Sequence, residues 1–563
     1  MSELEGFAAS GARGSIPTGA ATPPNPPSSG LTHWGLPAAD VLEAHGVDTI
    51  FTLSGGHLFF LYDATEAKSI RLLDVRHEAT AAFAAEAWGR LRRDVGVAAV
   101  TAGPGVFNVV NGLATAQKNN SPLVVIGGRA PSIRWGMGSL QEVDHVPVAA
   151  SLCKAAFTAT EALGAELSNA LSLAMTAPRG PVFLDIPLDL NAPTDGPVPV
   201  VSRVKSVEPD SEAIALVAKM LGEASRPILI AGSNVYADGA WDAMRNFAES
   251  TRVAVFTNGM GRGSLPADHE LAFSRSRGKA MREADVAVIA GTPFDFRLSF
   301  GDRFAADAKV IHLDSDPALI SKHRELAVSI GADLDLTFKA LADAASRSSS
   351  DQWLEGLKAE EDKLLAAAKQ PLESDRTPVH PMRIYGELNK FLDRDAIVVC
   401  DGGDFVSYAG RELASFVPGG WLDPGPFGCL GVGPGYAIAA KLLHPARQVA
   451  LLLGDGAFGF SGMEFDTMVR HKLNVVGIMG NNGIWALEKH PMNALFGYDV
   501  AATLRQETRY DKVVEALGGY GETVTDPAEI GPALRRAFNA EVPALLNILT
   551  DPDEIYPRSA NLA

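Results

Sequence analysis

Cysteine is scarce: the 563-residue chain has three, Cys153, Cys400 and Cys429. Three thiols cannot build a disulfide framework, and none stands in CxxC spacing, which points to a reduced intracellular compartment. Long apolar runs are missing as well. No stretch reaches the ~18 uninterrupted apolar residues of a membrane span. Positive charge is in deficit, with 49 Lys and Arg against 67 Asp and Glu and a formal net charge of −18. That balance argues against nucleic acid as the main partner. It leaves open a small anionic ligand, because backbone amides or a bound cation can hold phosphate locally. Residues 1–31 lack the basic start and apolar stretch of a signal peptide. They are rich in Pro, Gly, Ser and Ala and read as a disordered leader. The expectation is a soluble, cytoplasmic chain with no membrane or nucleic-acid partner.

What is present is ordinary globular material: 47% hydrophobic and 21% charged residues, enough for several cores. At about 150 residues per domain the length suggests three to four domains. After residue 32, short β-rich apolar runs alternate with helical patterns. Candidate strands are Val97–Thr101, Leu123–Ile126, Val182–Ile186, Ile228–Ala231, Val253–Phe256, Val286–Ala290, Val310–Leu313, Ala396–Cys400, Val449–Leu453 and Val475–Met479. The alternation implies an α/β fold with parallel sheets, and fully apolar strands agree with sheets covered on both faces. A proline-rich, aperiodic stretch over 190–210 reads as a linker. A serine run, a charged helix from Asp351 to about Lys369 and another proline-bearing stretch fill 346–381. Three domains result, 32–190, 208–345 and 378–552, followed by a tail over 553–563. The first and third are similar in length and texture.

The strongest motif lies in the third domain. A strand runs into Gly454-Asp455-Gly456, a helix follows, and the next strand ends in Asn481-Asn482. Asp455 and Asn482, 27 residues apart, present oxygen ligands at the ends of two strands, as a hard cation such as Mg²⁺ requires. The flanking glycines let backbone approach a diphosphate. Either tripeptide alone is a common turn; the strand–helix–strand context favours the ligand-binding reading. Ser461 and Glu464 have the S-x-x-E spacing of a capping box, predicting that they start the intervening helix.

GDG, about 27 residues, then NN resembles the thiamine diphosphate motif of the acetolactate synthase and decarboxylase superfamily, and the likeness covers about 34–555. The resemblance implies thiamine diphosphate and Mg²⁺ as cofactors, with Asp455, the Asn482 side chain and the Ile484 carbonyl as metal ligands. Gly454, Gly456 and Ala457 fall in the same cofactor-binding loop. Arg76-His77-Glu78 resembles the family segment carrying the cofactor-activating glutamate, which makes Glu78 the catalytic acid. A buried carboxyl in that role keeps a proton for the aminopyrimidine ring. Gly103-Pro104-Gly105, with Asn108 after it, matches the first-domain loop. Gly428-Cys429-Leu430-Gly431-Val432-Gly433 matches the loop under the cofactor. There Leu430 would wedge its two rings apart and the Gly428 carbonyl would accept from its amine. His57, in SGGHLFF, falls where the first loop nears the cofactor, although a lone histidine there is more often structural.

The branch within the family is read from Phe458-Gly-Phe-Ser-Gly-Met-Glu464, which resembles 2-hydroxyacyl-CoA lyases and oxalyl-CoA decarboxylases. The implied reaction is cleavage of a 2-hydroxyacyl-CoA to formyl-CoA and an aldehyde or ketone. Acetolactate synthase and a 2-oxo acid or oxalyl-CoA-type decarboxylase are the alternatives. Glu488, six residues past Asn482, matches an active-site glutamate of pyruvate-decarboxylase relatives and is the second catalytic candidate. The middle domain resembles the family's nucleotide-binding domain through Gly232, Arg297 and Asp314, implying ADP rather than FAD. The resemblance also implies a homodimer or homotetramer with an acyl-CoA substrate, and a tail that can close over the site.

Overall fold

The computed structural model describes residues 30–194, 197–201 and 206–557. Almost all of the 1–31 leader, parts of the 190–210 linker and the end of the tail lie outside the described residues. Three six-stranded sheets organise the chain. Every strand pairing in them is parallel, as between Leu123–Arg129 and Pro181–Pro187 or Val449–Gly454 and Val476–Asn481.

Across the first sheet the strands run Arg71–Asp74, Thr49–Leu53, Gly96–Val100, Leu123–Arg129, Pro181–Pro187, Ala155–Thr158. Across the third they run Trp421–Leu422, Ile397–Asp401, Val449–Gly454, Val476–Asn481, Ala544–Leu549, Tyr520–Val524. Counted within each domain both orders are 2-1-3-4-6-5, so the likeness in texture is a likeness in topology. The middle sheet reads Ala272–Phe273, Ala254–Thr257, Pro227–Ala231, Val286–Ala290, Lys309–Asp314, Val328–Gly331. That is the 3-2-1-4-5-6 order of doubly wound nucleotide-binding sheets.

Each of the ten predicted apolar runs overlaps a strand, overrunning it by at most one residue, and the described residues add eight more strands. Most additions are short or half-exposed edges, such as Arg71–Asp74 and Ala155–Thr158. Ala544–Leu549 is different: it is central, but the buried Asn547 interrupts its apolar run. That side chain accepts from Asn481 Nδ2 at 2.9 Å.

The first and third domains share one hydrophobic core. The helix Glu78–Arg92 packs on the helix Gly433–Leu443 so closely that a Cβ on Gly435 would lie 2.9 Å from the Phe83 Cβ. Inside this seam Glu86 is fully buried and accepts from Asn119, Ser121 and the Tyr436 hydroxyl, the last at 2.8 Å. The linking helix Asp351–Leu372 is anchored through Glu361, whose carboxylate accepts from the amides of Ser274, Arg275 and Ser276. No helix among the described residues is long and apolar enough to cross a membrane.

Candidate active site

In open α/β sheets a ligand sits outside the carboxyl ends of the strands where strand order reverses. In the third sheet that place lies between Ile397–Asp401 and Val449–Gly454. Asp455 begins the helix leaving the second of these strands. Asn482 follows Val476–Asn481, and the pairing of Gly454 with Gly480 brings the two loops side by side. Asp455 is buried and its Oδ2 accepts from the Gly483 amide at 3.1 Å. Burial, reinforced by the nearby Asp404 charge, pushes its pKa up to about 6 against the opposing backbone amides. Asn482 Oδ1 accepts from the Ile484 amide at 3.2 Å, and its Nδ2 donates to Asp404 at 3.4 Å. A carboxylate and an amide oxygen, with the Ile484 carbonyl two residues on, would make an all-oxygen donor set of the kind that suits Mg²⁺ better than a softer metal. A Cβ on Gly454 or Gly428 would meet open space, leaving room for a ligand, whereas one on Gly456 would lie 2.5 Å from the Trp485 ring. Ala457 is buried against the Gly402 backbone.

The capping box expected from Ser461 and Glu464 does not form. The segment splits into two short helices, Asp455–Ser461 and Glu464–Arg470, and the buried Ser461 hydroxyl has no partner. Glu464 turns instead toward the first domain and accepts from the Arg76 amide at 3.1 Å and from Thr467 Oγ1 at 2.6 Å. Burial raises its pKa. A long-range bond that ties down the Arg76–Glu78 segment has displaced the local cap.

Asp401, which sequence reasoning passed over, organises the Leu430 loop. Its two carboxylate oxygens accept from the Gly431 and Gly433 amides at 3.0 and 2.9 Å, and full burial pushes its pKa up to about 7. Gly428 and Gly431 take φ of +68° and +85°, so the turn needs glycine there. Leu430 then sits with its Cδ2 3.9 Å from where a Gly402 Cβ would be. Glu488 is the third residue of the helix Ala486–Phe496 and is exposed. It acts, with His490, on the charge of Asp404, whose pKa burial raises. A strand ending in Asp-Gly-Gly-Asp was the signal that could have revealed both aspartates.

The first domain supplies Glu78 as the opening residue of Glu78–Arg92, with His77 Nδ1 capping the helix by accepting from the Ala79 amide. Glu78 is 8% exposed, and its Oε2 accepts from Asn108 Nδ2 at 2.9 Å. A Cβ on Gly105 would stand 2.9 Å from Thr101 Cγ2, which would have to shift, and in ordinary contact, 3.6 Å, with Oε1. His57 is buried with Nδ1 3.0 Å from Thr101 Oγ1, and burial lowers its pKa. Glu78 thus bonds within the first domain, while in the third Asp455 bonds the Gly483 amide and Asn482 bonds the Ile484 amide and Asp404.

In the middle domain Gly232 stands at the switch point, where a Cβ would meet Thr292 at 2.3 Å. Asp314 Oδ1 accepts from Asn234 Nδ2 at 2.7 Å and from the Ser315 amide at 2.8 Å. Burial pushes its pKa up to about 7. Arg297 is taken up by Asp295, which it grips through Nε at 3.0 Å and Nη2 at 2.7 Å. A neighbouring guanidinium, Arg277, makes no ion pair among the described residues. Burial, then Arg262 and Arg303, lowers its pKa. Asn258 Nδ2, also at this sheet edge, is buried without a partner. Both donors fit a phosphate-bearing ligand. None of the cysteines is a thiolate nucleophile: burial pushes Cys153 up to about 12 and raises Cys400 and Cys429.

This arrangement has counterparts in known proteins. The chain matches the N-terminal TPP binding domain of thiamine pyrophosphate enzymes over residues 38–148, their central domain over 214–341 and their C-terminal TPP binding domain over 401–548. The acetolactate synthase large subunit IlvG of Mycobacterium tuberculosis is 52% identical over 537 residues, covering 94% of this chain and 98% of that one. The 2-hydroxyacyl-CoA lyase 2 of Caenorhabditis elegans is 34% identical over 572 residues, covering 92% and 89%. The human lyase of that name is 34% identical over 548 residues, covering 87% and 85%. With three domains matched in order and a relative aligned over nearly its whole length, the chain belongs to the thiamine pyrophosphate enzyme family.

Proposed function

We propose that this enzyme is a carboligase that joins two 2-oxo acids with loss of carbon dioxide, the acetolactate synthase reaction. The 52% identity to an acetolactate synthase subunit over 94% of the chain carries this reading. It takes precedence over the 2-hydroxyacyl-CoA cleavage read from Phe458–Glu464, whose namesakes are 34% identical.

When bound, thiamine diphosphate supplies a thiazolium electron sink. The chain does the rest. Asp455, Asn482 Oδ1 and the Ile484 carbonyl would hold Mg²⁺ against the diphosphate. Asn108 occupies Glu78 Oε2, which leaves Oε1 to carry the proton offered to the aminopyrimidine ring. Leu430, held by the turn that Asp401 braces, would wedge the cofactor. Glu488, exposed at the start of its helix, would move a proton at the substrate oxygen. Two copies would complete each site, the first domain of one facing the third domain of the other, in a homodimer or homotetramer. The middle domain would take ADP or FAD through Arg277 and Asn258 beside Gly232 and Asp314, with Arg297 held back by Asp295.

The test is incubation of the purified chain, thiamine diphosphate and Mg²⁺ with pyruvate, and separately with a 2-hydroxyacyl-CoA. Acetolactate is the expected product. Formyl-CoA by mass, without acetolactate, would replace this reading with the lyase, which the Phe458–Glu464 stretch supports. Carbon dioxide and free aldehyde from a 2-oxo acid would indicate a decarboxylase.

A further inference from the structure

His145 lies outside every motif and is fully buried. Its ring is fixed from both sides. Nε2 accepts the backbone N–H of Gly103 at 2.9 Å, so that nitrogen carries no proton. Nδ1 therefore carries it and donates to Asp185 Oδ2 at 2.9 Å. The same oxygen accepts from Arg129 Nη1 at 2.9 Å, while Asp185 Oδ1 is buried without a partner. Arg129 also reaches Asp144 at 3.5 Å and lies 3.8 Å above the Trp135 ring. The charges facing His145 are thus Asp185 and Arg129, with His57 nearby.

Gly103 needs this anchor. Its φ and ψ are +62° and −115°, and it precedes the short helix Pro104–Asn108. Its buried amide has an imidazole as acceptor. The other end of that helix is Asn108, whose Nδ2 holds Glu78 Oε2. Between them lies Gly105, against Glu78 Oε1. One five-residue helix is therefore pinned at its start by His145 and holds the Glu78 carboxyl at its other end through Asn108, with the bare backbone of Gly105 facing Oε1 between them.

The geometry points to His145, oriented by Asp185, as a positioning residue that sets the Glu78 carboxyl through the helix Pro104–Asn108. Removing the acceptor frees the Gly103 amide and lets the helix shift on Glu78. An ångström-scale displacement of a catalytic group costs about 100-fold in rate. This inference rests on the reading of Glu78 as the activating carboxyl.

Two measurements separate the two ideas. In the cofactor-free full chain, hydrogen exchange of the 101–109 peptide reports the pin directly. Exchange of the thiazolium C2 hydrogen in bound thiamine diphosphate, followed by NMR after acid quench, reports activation. In His145→Leu, protection of the Gly103 amide should fall about tenfold, the worth of one hydrogen bond. C2 exchange should slow about 10- to 100-fold while thiamine diphosphate affinity stays within about threefold. His145→Gln, which can still accept from Gly103 and donate to Asp185, should restore both. Unchanged protection or C2 exchange in His145→Leu, or a His145→Gln as impaired as His145→Leu, overturns the inference. If His145→Leu does not fold, Asp185→Ala, which removes the acceptor that fixes the Nδ1 proton, takes its place with the same expected loss of protection, and full protection there overturns it. Glu78→Gln should slow C2 exchange with Gly103 fully protected. Normal exchange in that variant refutes the role of Glu78, while the amide measurement still judges the pin.

Discussion

Asp314 makes the folding of the middle domain depend on pH. Its carboxyl is buried at the end of Lys309–Asp314 and held at Oδ1 by Asn234 and Ser315, while His312 Nε2 stands 3.9 Å from Oδ2. Burial, joined by the Asp238 charge, outweighs those two donors and the Arg179 charge, and the pKa rises from 3.8 to about 7. The folded form thus binds the proton more tightly than the unfolded form. Stability is gained at low pH and lost as pH rises from about 4 to about 7. Linkage over that shift gives a loss of about 3 kcal/mol between pH 5 and pH 8. Asp314→Asn keeps the Oδ1 acceptor and removes the titration. Urea unfolding at both pH values, read by far-UV circular dichroism, should show the wild-type middle domain losing about 3 kcal/mol more than Asp314→Asn. Asp401 titrates over the same range in both proteins and cancels in the comparison. Equal pH dependence in the two proteins would refute the burial of an uncompensated carboxyl at this position.

Gly435→Val should destabilise the seam between the first and third domains by about 1–3 kcal/mol, because the new side chain meets the Phe83 Cβ and the Ala84 amide. A melting temperature equal to wild type would contradict that packing. Tyr436→Phe should cost about 1–3 kcal/mol by leaving Glu86 Oε2, fully buried, without its hydroxyl donor. Urea titration checks it, and a neutral change would mean that water takes the place. Glu78→Gln should abolish turnover of pyruvate with the melting temperature unchanged. Asp455→Ala should lose Mg²⁺-dependent binding of thiamine diphosphate, read by quenching of tryptophan fluorescence, and retained binding would remove Asp455 from the metal site.

Sequence motifs could point to a third-domain candidate site because its parts are local. A strand end, a glycine and a candidate ligand stand together at Gly454–Gly456 and again at Asn481–Ile484, so a motif of three or four residues suffices to declare each half. The parts that sequence reasoning missed act at long range. His145 and Asp185 are 40 residues apart and meet only because Pro181–Pro187 pairs beside Leu123–Arg129. Glu464 read as a cap from its spacing to Ser461, yet it bonds Arg76, 388 residues away. Arg297 looked like a phosphate ligand from its place after a strand, but the structure gives it to Asp295 two residues earlier. In each case the residue type was visible and its partner was not. The same limit explains the strands: buried apolar runs were legible, while half-exposed edges and the Asn547-bearing strand depend on neighbours that sequence does not display.

The repeated 2-1-3-4-6-5 order explains why this chain divides its chemistry between two ends. Each such sheet opens one crevice between its first and third strands. In the first domain the loops at that crevice carry His57, Thr101, Gly103 and Gly105, neutral groups and bare backbone suited to a ring. In the third domain the equivalent loops carry Asp401, Asp404 and Asp455, carboxylates suited to a cation and to bracing a turn. The two helices that leave these domains to meet each other, Glu78–Arg92 and Gly433–Leu443, begin at Glu78 and at the Asp401-braced turn. The seam between them therefore braces, within one copy, the Glu78 end of one helix and the Leu430 turn at the start of the other. A substitution such as Gly435→Val should consequently disturb both of these ends, which two facing copies would present to different sites, as well as stability.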